Sequence, residues 1–438
     1  MLRDPGRLAW TVLFISLAIF CLLTTAFLLG VNWFLFDSSV SLITTLDVSR
    51  NTVSVRVNPG EGLQAVRSSS IVGRDSYLVT DSSSQGYITF VDPYSREVVA
   101  SITLHRESSL TVGDATRPRF EFSSQPYIIT IQFQGNIDVD IVPELPRRIL
   151  FDVHSPYGLI RMGNTGRYSL TSQVNRFSVF NRSGQVVIIN LTHEARDVAE
   201  GMTGRIEPET NAILVEQPLV DLLPDGSFDT FNPADPSLSS EWGCYTLRDD
   251  TTAAEGSYRR EIINGRSVMH ITRVEEPGKP ANNHAETGCL QYLNTISDPL
   301  PVTQYNYLEL RATMQIRDRP LMLSTCGQRG SECPVMIVIS YRNQYDQEQQ
   351  WIHGFYTRYD QAVGWPLRCD TCAQDHEQLN KDTWYTYTSG NLLQLLPQDQ
   401  RPVAISSVKF YASGHEYEVL LSEVALLAGT MPEAAPAG

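Results

Sequence analysis

Val53-Ser54-Val55-Arg56-Val57 alternates valine with polar side chains. Every second residue then falls on one face of an extended chain, which is the pattern of a half-buried β-strand. The same grammar continues C-terminally. Strands are expected at 87–91, 98–104, 128–133, 137–142, 148–153, 167–170, 177–180 and 185–191. Turn formers part them at Gly60, Pro93, Gly135, Pro156-Tyr157-Gly158 and Ser183-Gly184. Between residues 50 and 195 no stretch of ten or more residues has helical periodicity. This half reads as all-β, a rolled or solenoid-like sheet.

N-terminal to that pattern the chain changes character. From Leu8 to Phe36 it runs 29 residues without a charged side chain. A hydrocarbon core about 30 Å thick takes about 20 helical residues to cross, so the run is long enough to span. Arg3 and Arg7 precede it and Asp37 follows. The positive-inside bias then puts residues 1–7 in the cytoplasm and the rest outside, with Trp10 and Trp33 near the two interfaces. A cleaved signal peptide has a shorter apolar region and small residues at its end; here bulky Phe27-Leu28-Leu29 and Trp33-Phe34-Leu35-Phe36 occupy that place. The expectation is an uncleaved anchor at 8–36, a single-pass protein of the plasma membrane, and a juxtamembrane linker at 37–51.

The chain has 438 residues, 34 of them basic and 49 acidic, for a net charge of −15. Two arginines and one aspartate give the first seven residues +1, so the outer part carries −16. An acidic surface lacks the cations that displace counterions from a phosphate backbone, so nucleic acid is excluded as a partner. Hydrophobic residues at 42% leave ample material for two folded cores.

Near residue 220 the pattern shifts again. Pro224-Asp225-Gly226 is a turn signal, and 216–225 reads as a linker between a first β-domain, 52–215, and a second, 226–430, with a frayed tail at 431–438. Strands are expected at 267–273, 307–315, 335–341, 350–356, 384–389, 405–411 and 417–427, the last two as a terminal hairpin, with a helical patch at 373–379.

Two resemblances attach to these halves. Residues ~52–205 resemble the FecR-like ectodomain through Gly86-Tyr87-Ile88-Thr89-Phe90, Phe151-Asp152-Val153-His154-Ser155-Pro156-Tyr157-Gly158, Gly166-Arg167-Tyr168-Ser169-Leu170 and Val198-Ala199-Glu200-Gly201-Met202. In that family the domain relays a signal across the membrane and a cytoplasmic segment governs a sigma factor. Seven residues before the membrane run are too few for that segment, so the resemblance implies fold and location, and signalling would pass through a separate membrane partner. Residues ~226–428 look like a galactose-binding-like β-sandwich, the jelly roll of many carbohydrate-binding modules, through Gly226-Ser227-Phe228-Asp229, Trp242, 308–315 and the closing 419–427 with Ser422-Glu423. The fold class is thus an all-β ectodomain, a FecR-like β-domain plus a jelly-roll β-sandwich, behind one transmembrane helix.

Of seven cysteines, Cys21 lies in the apolar run and six lie outside: Cys244, Cys289, Cys326, Cys333, Cys369 and Cys372. An even number in an oxidising space reads as three disulfides, and proximity favours 326 with 333 and 369 with 372, leaving 244 with 289. Four thiolates at Cys326, Cys333, Cys369 and Cys372 could instead hold a structural zinc.

Aromatics crowd residues 341–387. Trp351, Tyr356, Tyr359 and Trp365 are candidate platforms for the apolar face of a sugar, with Arg358 and Asp360 as hydroxyl partners; the rival account is that such rings fill the core. Asn181-Arg182-Ser183 and Asn190-Leu191-Thr192 match the N-glycosylation pattern. No H-E-x-x-H, G-x-S-x-G, P-loop, dinucleotide fingerprint or EF-hand loop is present, and no cofactor is expected. These residues point to a non-catalytic, membrane-anchored binding protein for an envelope glycan or protein. The alternatives are a signalling accessory and, third, a carbohydrate-active enzyme.

Overall fold

The computed structural model describes residues 5–430 apart from 175, 218, 249, 276–277, 282, 296–297, 318, 320–325, 327–331 and 359–371. Its chain is mostly β-strand behind one long apolar helix. The helix, Pro5–Asn32, continues through a π-turn at Trp33–Asp37. It is long and apolar enough to cross a membrane, and protein buries none of it.

The expected linker at 37–51 is not one. Ser39–Ser41 pairs with Thr116–Pro118, and Ile43–Arg50 pairs with the strand Gln85–Val91. Leu42, Leu46 and Val48 are buried in the core. The period-2 pattern of Leu42-x-Thr44-x-Leu46-x-Val48 is the same signal as Val53–Val57, so the helix hands over directly to the sheet.

The first unit is one 16-stranded sheet, counted over the described residues, wrapped around a single apolar cluster. Two pairs of expected strands merge. Tyr127–Ile141 is continuous, with its odd-numbered residues buried and Gly135 inside it rather than at a turn. At Gly135 the strand changes partners on both edges, from Ser109–Pro118 and Ile149–Ser155 to Val98–Leu104 and Gly158–Gln173. Its φ of +97° favours glycine, and a Cβ there would lie 2.3 Å from Ser108 Oγ. Likewise Arg176–Asn190 runs through Ser183-Gly184, with φ +99° at Gly184.

The second unit, counted over the described residues, is a sandwich of a six-stranded and a seven-stranded sheet. Its first strand, Leu219–Asp221, pairs with residues 427–429, and Leu223 enters its core; Glu216 still pairs with Thr203 of the first sheet, so the expected linker 216–225 shrinks to the residues between Glu216 and Leu219. Ala404–Gly414 and Tyr417–Gly429 are not a hairpin. The former joins the seven-stranded sheet and the latter the six-stranded one, so the short link between them crosses from layer to layer. Alternation reports which face of a strand is buried, not which strand is its neighbour. The expected helix at 373–379 is absent as well: Glu377–Gln378 adds in parallel to residues 355–356, and a single helical turn sits at Leu392–Leu395.

Cys244 and Cys289 face each other across paired strands and are bonded, as are Cys326 and Cys333. Cys372 is also oxidised, and Cys369 lies outside the described residues. The bond at 326–333 removes two thiolates from the four-cysteine zinc alternative. Cutting the Cys244–Cys289 link, which closes 45 residues, frees loop entropy in the unfolded chain. We expect the Cys244→Ser, Cys289→Ser double variant to lose about 2–4 kcal/mol in chemical denaturation of the sandwich.

Candidate functional site

The even-numbered residues of Tyr127–Ile141 point away from the first core, and they change environment along the strand. Gln132, Gln134 and Asn136 are exposed, whereas Asp138 is buried and Asp140 nearly so. The exposed half floors a groove; the covered half lies under the sandwich.

The groove holds about 700 Å³ over its larger lobe. That lobe is walled by Tyr77, Gln132, Gln134, His154, Tyr157 and Gln173, and a neighbouring lobe that shares Tyr77, Gln134 and Gln173 extends to Arg106, Glu107 and Asn136. Four strand ends and one turn converge here. The Tyr157 hydroxyl donates to Val174 O, tying the turn after Ile149–Ser155 to the end of Gly158–Gln173. Amide side chains offer both donors and acceptors, and tyrosine offers a flat apolar face with a polar tip. Its volume and mixed lining suit a small-molecule or oligomeric ligand.

The covered half is a layer of charge. Asp138 pairs with Arg311 and accepts from His105 Nε2 at 2.5 Å; Asp140 pairs with Arg266 and lies 3.8 Å from Arg182. Glu423 pairs with Arg182 and, at 3.2 Å, with Arg311 Nε. Three arginines thus meet three carboxylates, drawn from both units. Burial would raise the Glu423 carboxyl, but Arg182 and Arg311 bring it down to about 2. Burial also opposes ionisation of Asp138, yet Arg311 and then His105 hold it well below the usual carboxylate range.

Around this layer lie neutral contacts and one further ion pair. Gln85 and Thr386 exchange two hydrogen bonds of 2.8 Å, Asn380 donates to Val48 O at 2.8 Å, and Glu377 binds Arg50 at 2.7 Å and the Tyr385 hydroxyl at 2.5 Å. Tyr87 of the first unit packs with Val268, Trp384 and Leu420 of the second, and the Arg266 guanidinium stands over both Tyr87 and Trp384. Neighbouring residues Met269, Tyr385, Val419 and Leu421 face the sandwich core instead. The inner strands of the six-stranded sheet are therefore buried on both faces.

The aromatic platform read from sequence does not form at Trp351 and Tyr356. Trp351 is 2% exposed and Tyr356 4%. Trp351, His353 and Phe355 make a stripe against Tyr387, with His353 stacked on Tyr387 at 4.6 Å. The alternating strand turns these large rings into the sandwich, where they bury most area. Arg358 is exposed; Tyr359, Asp360 and Trp365 lie outside the described residues. Neither ring nitrogen of His353 has a hydrogen-bond partner among the described residues, and burial, helped by His376, pushes its pKa down to about 3. Asn181 and Asn190 of the glycosylation pattern are buried and hydrogen-bonded to backbone carbonyls. Among the described residues no group of three or more His, Cys, Asp or Glu side chains is placed to hold a metal ion.

No protein-family model and no curated protein matches the chain. Solved structures give faint likenesses. A candidate anti-sigma factor from Parabacteroides distasonis has TM-score 0.25 and 10% identity over 32% of this chain. A family 11 carbohydrate-binding module from Clostridium thermocellum, in complex with a mixed-linked tetrasaccharide, has TM-score 0.25 and 10% identity over 44% of this chain and 92% of its own. A CBM22-1 xylan-binding domain from Paenibacillus barcinonensis has TM-score 0.25 and 11% identity over 49% and 97%. The chain spans 58% of the length of the anti-sigma factor. At these scores the site has to be read from its own geometry.

Two outcomes follow from the buried charges. Arg311→Met leaves Asp138 buried without its principal cation and should cost about 3–5 kcal/mol in chemical denaturation, most of it recovered by adding Asp138→Asn. His353 is neutral when folded, so its contribution is present above the unfolded pKa of about 6.5 and lost as pH falls toward the folded value. Between pH 7.5 and pH 5 the protein should lose about 2 kcal/mol through this group, a loss that His353→Phe abolishes in parallel denaturation series.

Proposed function

We propose that the chain is a membrane-anchored, extracytoplasmic, non-catalytic binding protein whose ligand is an uncharged glycan held in the groove of the first β-unit. Residues 8–36 cross the membrane, Arg3 and Arg7 stay on the cytoplasmic side, and both β-units stand outside.

The observation that carries this reading is the groove lining. Gln132, Gln134, Gln173 and Asn136 supply neutral donor–acceptor pairs for sugar hydroxyls, and Tyr77 and Tyr157 supply rings for the C–H faces. Its one carboxylate, Glu107, lies at one end, whereas hydrolysis of a glycosidic bond by the usual route takes a flanking pair. This moves the expected ligand site from the aromatic-rich sandwich to the membrane-proximal unit, since Trp351 is packed in the sandwich core and Tyr356 is buried in a separate cluster with Cys326 and Cys333.

The test is a glycan array probed with the full chain in nanodiscs, followed by calorimetry on the best neutral oligosaccharide. Tyr77→Ala and Gln134→Ala should each weaken binding by about tenfold, the effect of losing roughly one good contact. Equal affinity in both variants, or no neutral glycan bound at all, would contradict the reading.

A further inference from the structure

Where the helix meets the first sheet, four phenylalanines gather. The Phe34 ring meets Phe120 edge-on at 5.4 Å, Phe36 meets Phe122 at 5.6 Å, and Phe120 and Phe122 stack at 5.4 Å. Phe34 and Phe36 belong to the π-turn that ends the apolar run. Phe120 and Phe122 belong to the loop between Ser109–Pro118 and Tyr127–Ile141. These rings are not folded into a core: Phe122 is 61% exposed, and Trp33, Phe34 and Phe36 are exposed too.

The loop is held firmly in that place. Arg119 N donates to Ser38 O at 2.9 Å and Ser123 Oγ donates to Phe36 O at 2.8 Å. Arg147 donates to Ser123 O and Gln125 O, each at 3.0 Å, and pairs with Glu121 at 2.9 Å. The Arg119 guanidinium stands 5.6 Å from the Phe34 ring centre. An apolar tip with arginines behind it matches the layering of a bilayer interface, acyl chains first and phosphates next.

Resting on the membrane-anchor reading above, we propose that loop 119–125 is a second membrane contact. Phe120 and Phe122 enter the outer interfacial layer beside Phe34 and Phe36, and Arg119 lies at the level of the lipid phosphates. The occupant of this patch is the lipid surface, because the loop is fastened to the last residues of the membrane run itself. With two contacts instead of one, the ectodomain cannot swivel about the helix axis, and the groove keeps a set orientation to the membrane.

The experiment uses the full chain in nanodiscs of phosphatidylcholine with a minority of phosphatidylglycerol. In a Cys21→Ser background, single nitroxide labels are placed through Phe122→Cys, Leu17→Cys in mid-helix and Tyr345→Cys. Tyr345 is 63% exposed on the sandwich. Collisions with a water-soluble nickel chelate should be about fivefold rarer at residue 122 than at residue 345, as expected for burial at acyl-chain depth. A label at 122 as accessible as that at 345, with 17 protected, overturns the membrane contact and leaves the anchor standing. A water-accessible label at 17 overturns the anchor reading and the loop contact with it. Phe122 is exposed in the fold, so its replacement leaves both cores intact.

Discussion

Arg311 reaches from the sandwich into the first unit and closes a layer in which it, Arg182 and Arg266 balance Asp138, Asp140 and Glu423 to zero charge. Such a layer costs desolvation that its own attraction roughly offsets, so its weight lies less in stability than in what it forbids. Any sliding of one unit over the other leaves a buried charge unpaired, at several kcal/mol. The neutral contacts at Gln85–Thr386 and Asn380–Val48, and the Tyr87–Trp384–Leu420 packing, can then form in one register only. The two β-units pack as one body, with the six-stranded sheet between the two cores.

That constraint joins the N-terminal helix to the groove. The helix passes into Ile43–Arg50 without a linker, that strand carries Arg50 to Glu377 of the sandwich, and Tyr127–Ile141 serves the groove with one end and the charge layer with the other. A ligand lying on Gln132 and Gln134 therefore touches the strand whose continuation holds Arg311 through Asp138. Rigid connection of this kind suits a protein that presents a site at a fixed height and angle.

Much of the fold was legible in local pattern. Val53–Val57 and its successors announced the strands, and the ends expected for 98–104, 335–341 and 417–427 fall within two residues of the observed ones. What local pattern cannot carry is the identity of a neighbour. Residues 405–411 and 417–427 are two apolar-rich runs with a short link, the outline of a hairpin, yet they belong to opposite sheets. The burial of Asp138, Asp140 and Glu423 depends on a surface more than a hundred residues away, which no local pattern reports. One clue was present: Val419-Leu420-Leu421 does not alternate, as expected for a strand covered on both faces. Trp351 and Tyr356 suit a core as well as a sugar platform, and sequence alone does not choose. The groove gathers Tyr77, Gln134, Tyr157 and Gln173 from separated strands, so no motif marks it.

The most direct test of the locked pair of β-units is a pulsed electron–electron distance between nitroxides at Arg196 on the first unit and Tyr345 on the second, in the Cys21→Ser background at neutral pH. The account predicts a single narrow distance distribution that broadens when Arg311 is replaced by Met. A broad distribution in the otherwise unaltered protein would mean that the two units move independently, and would contradict it.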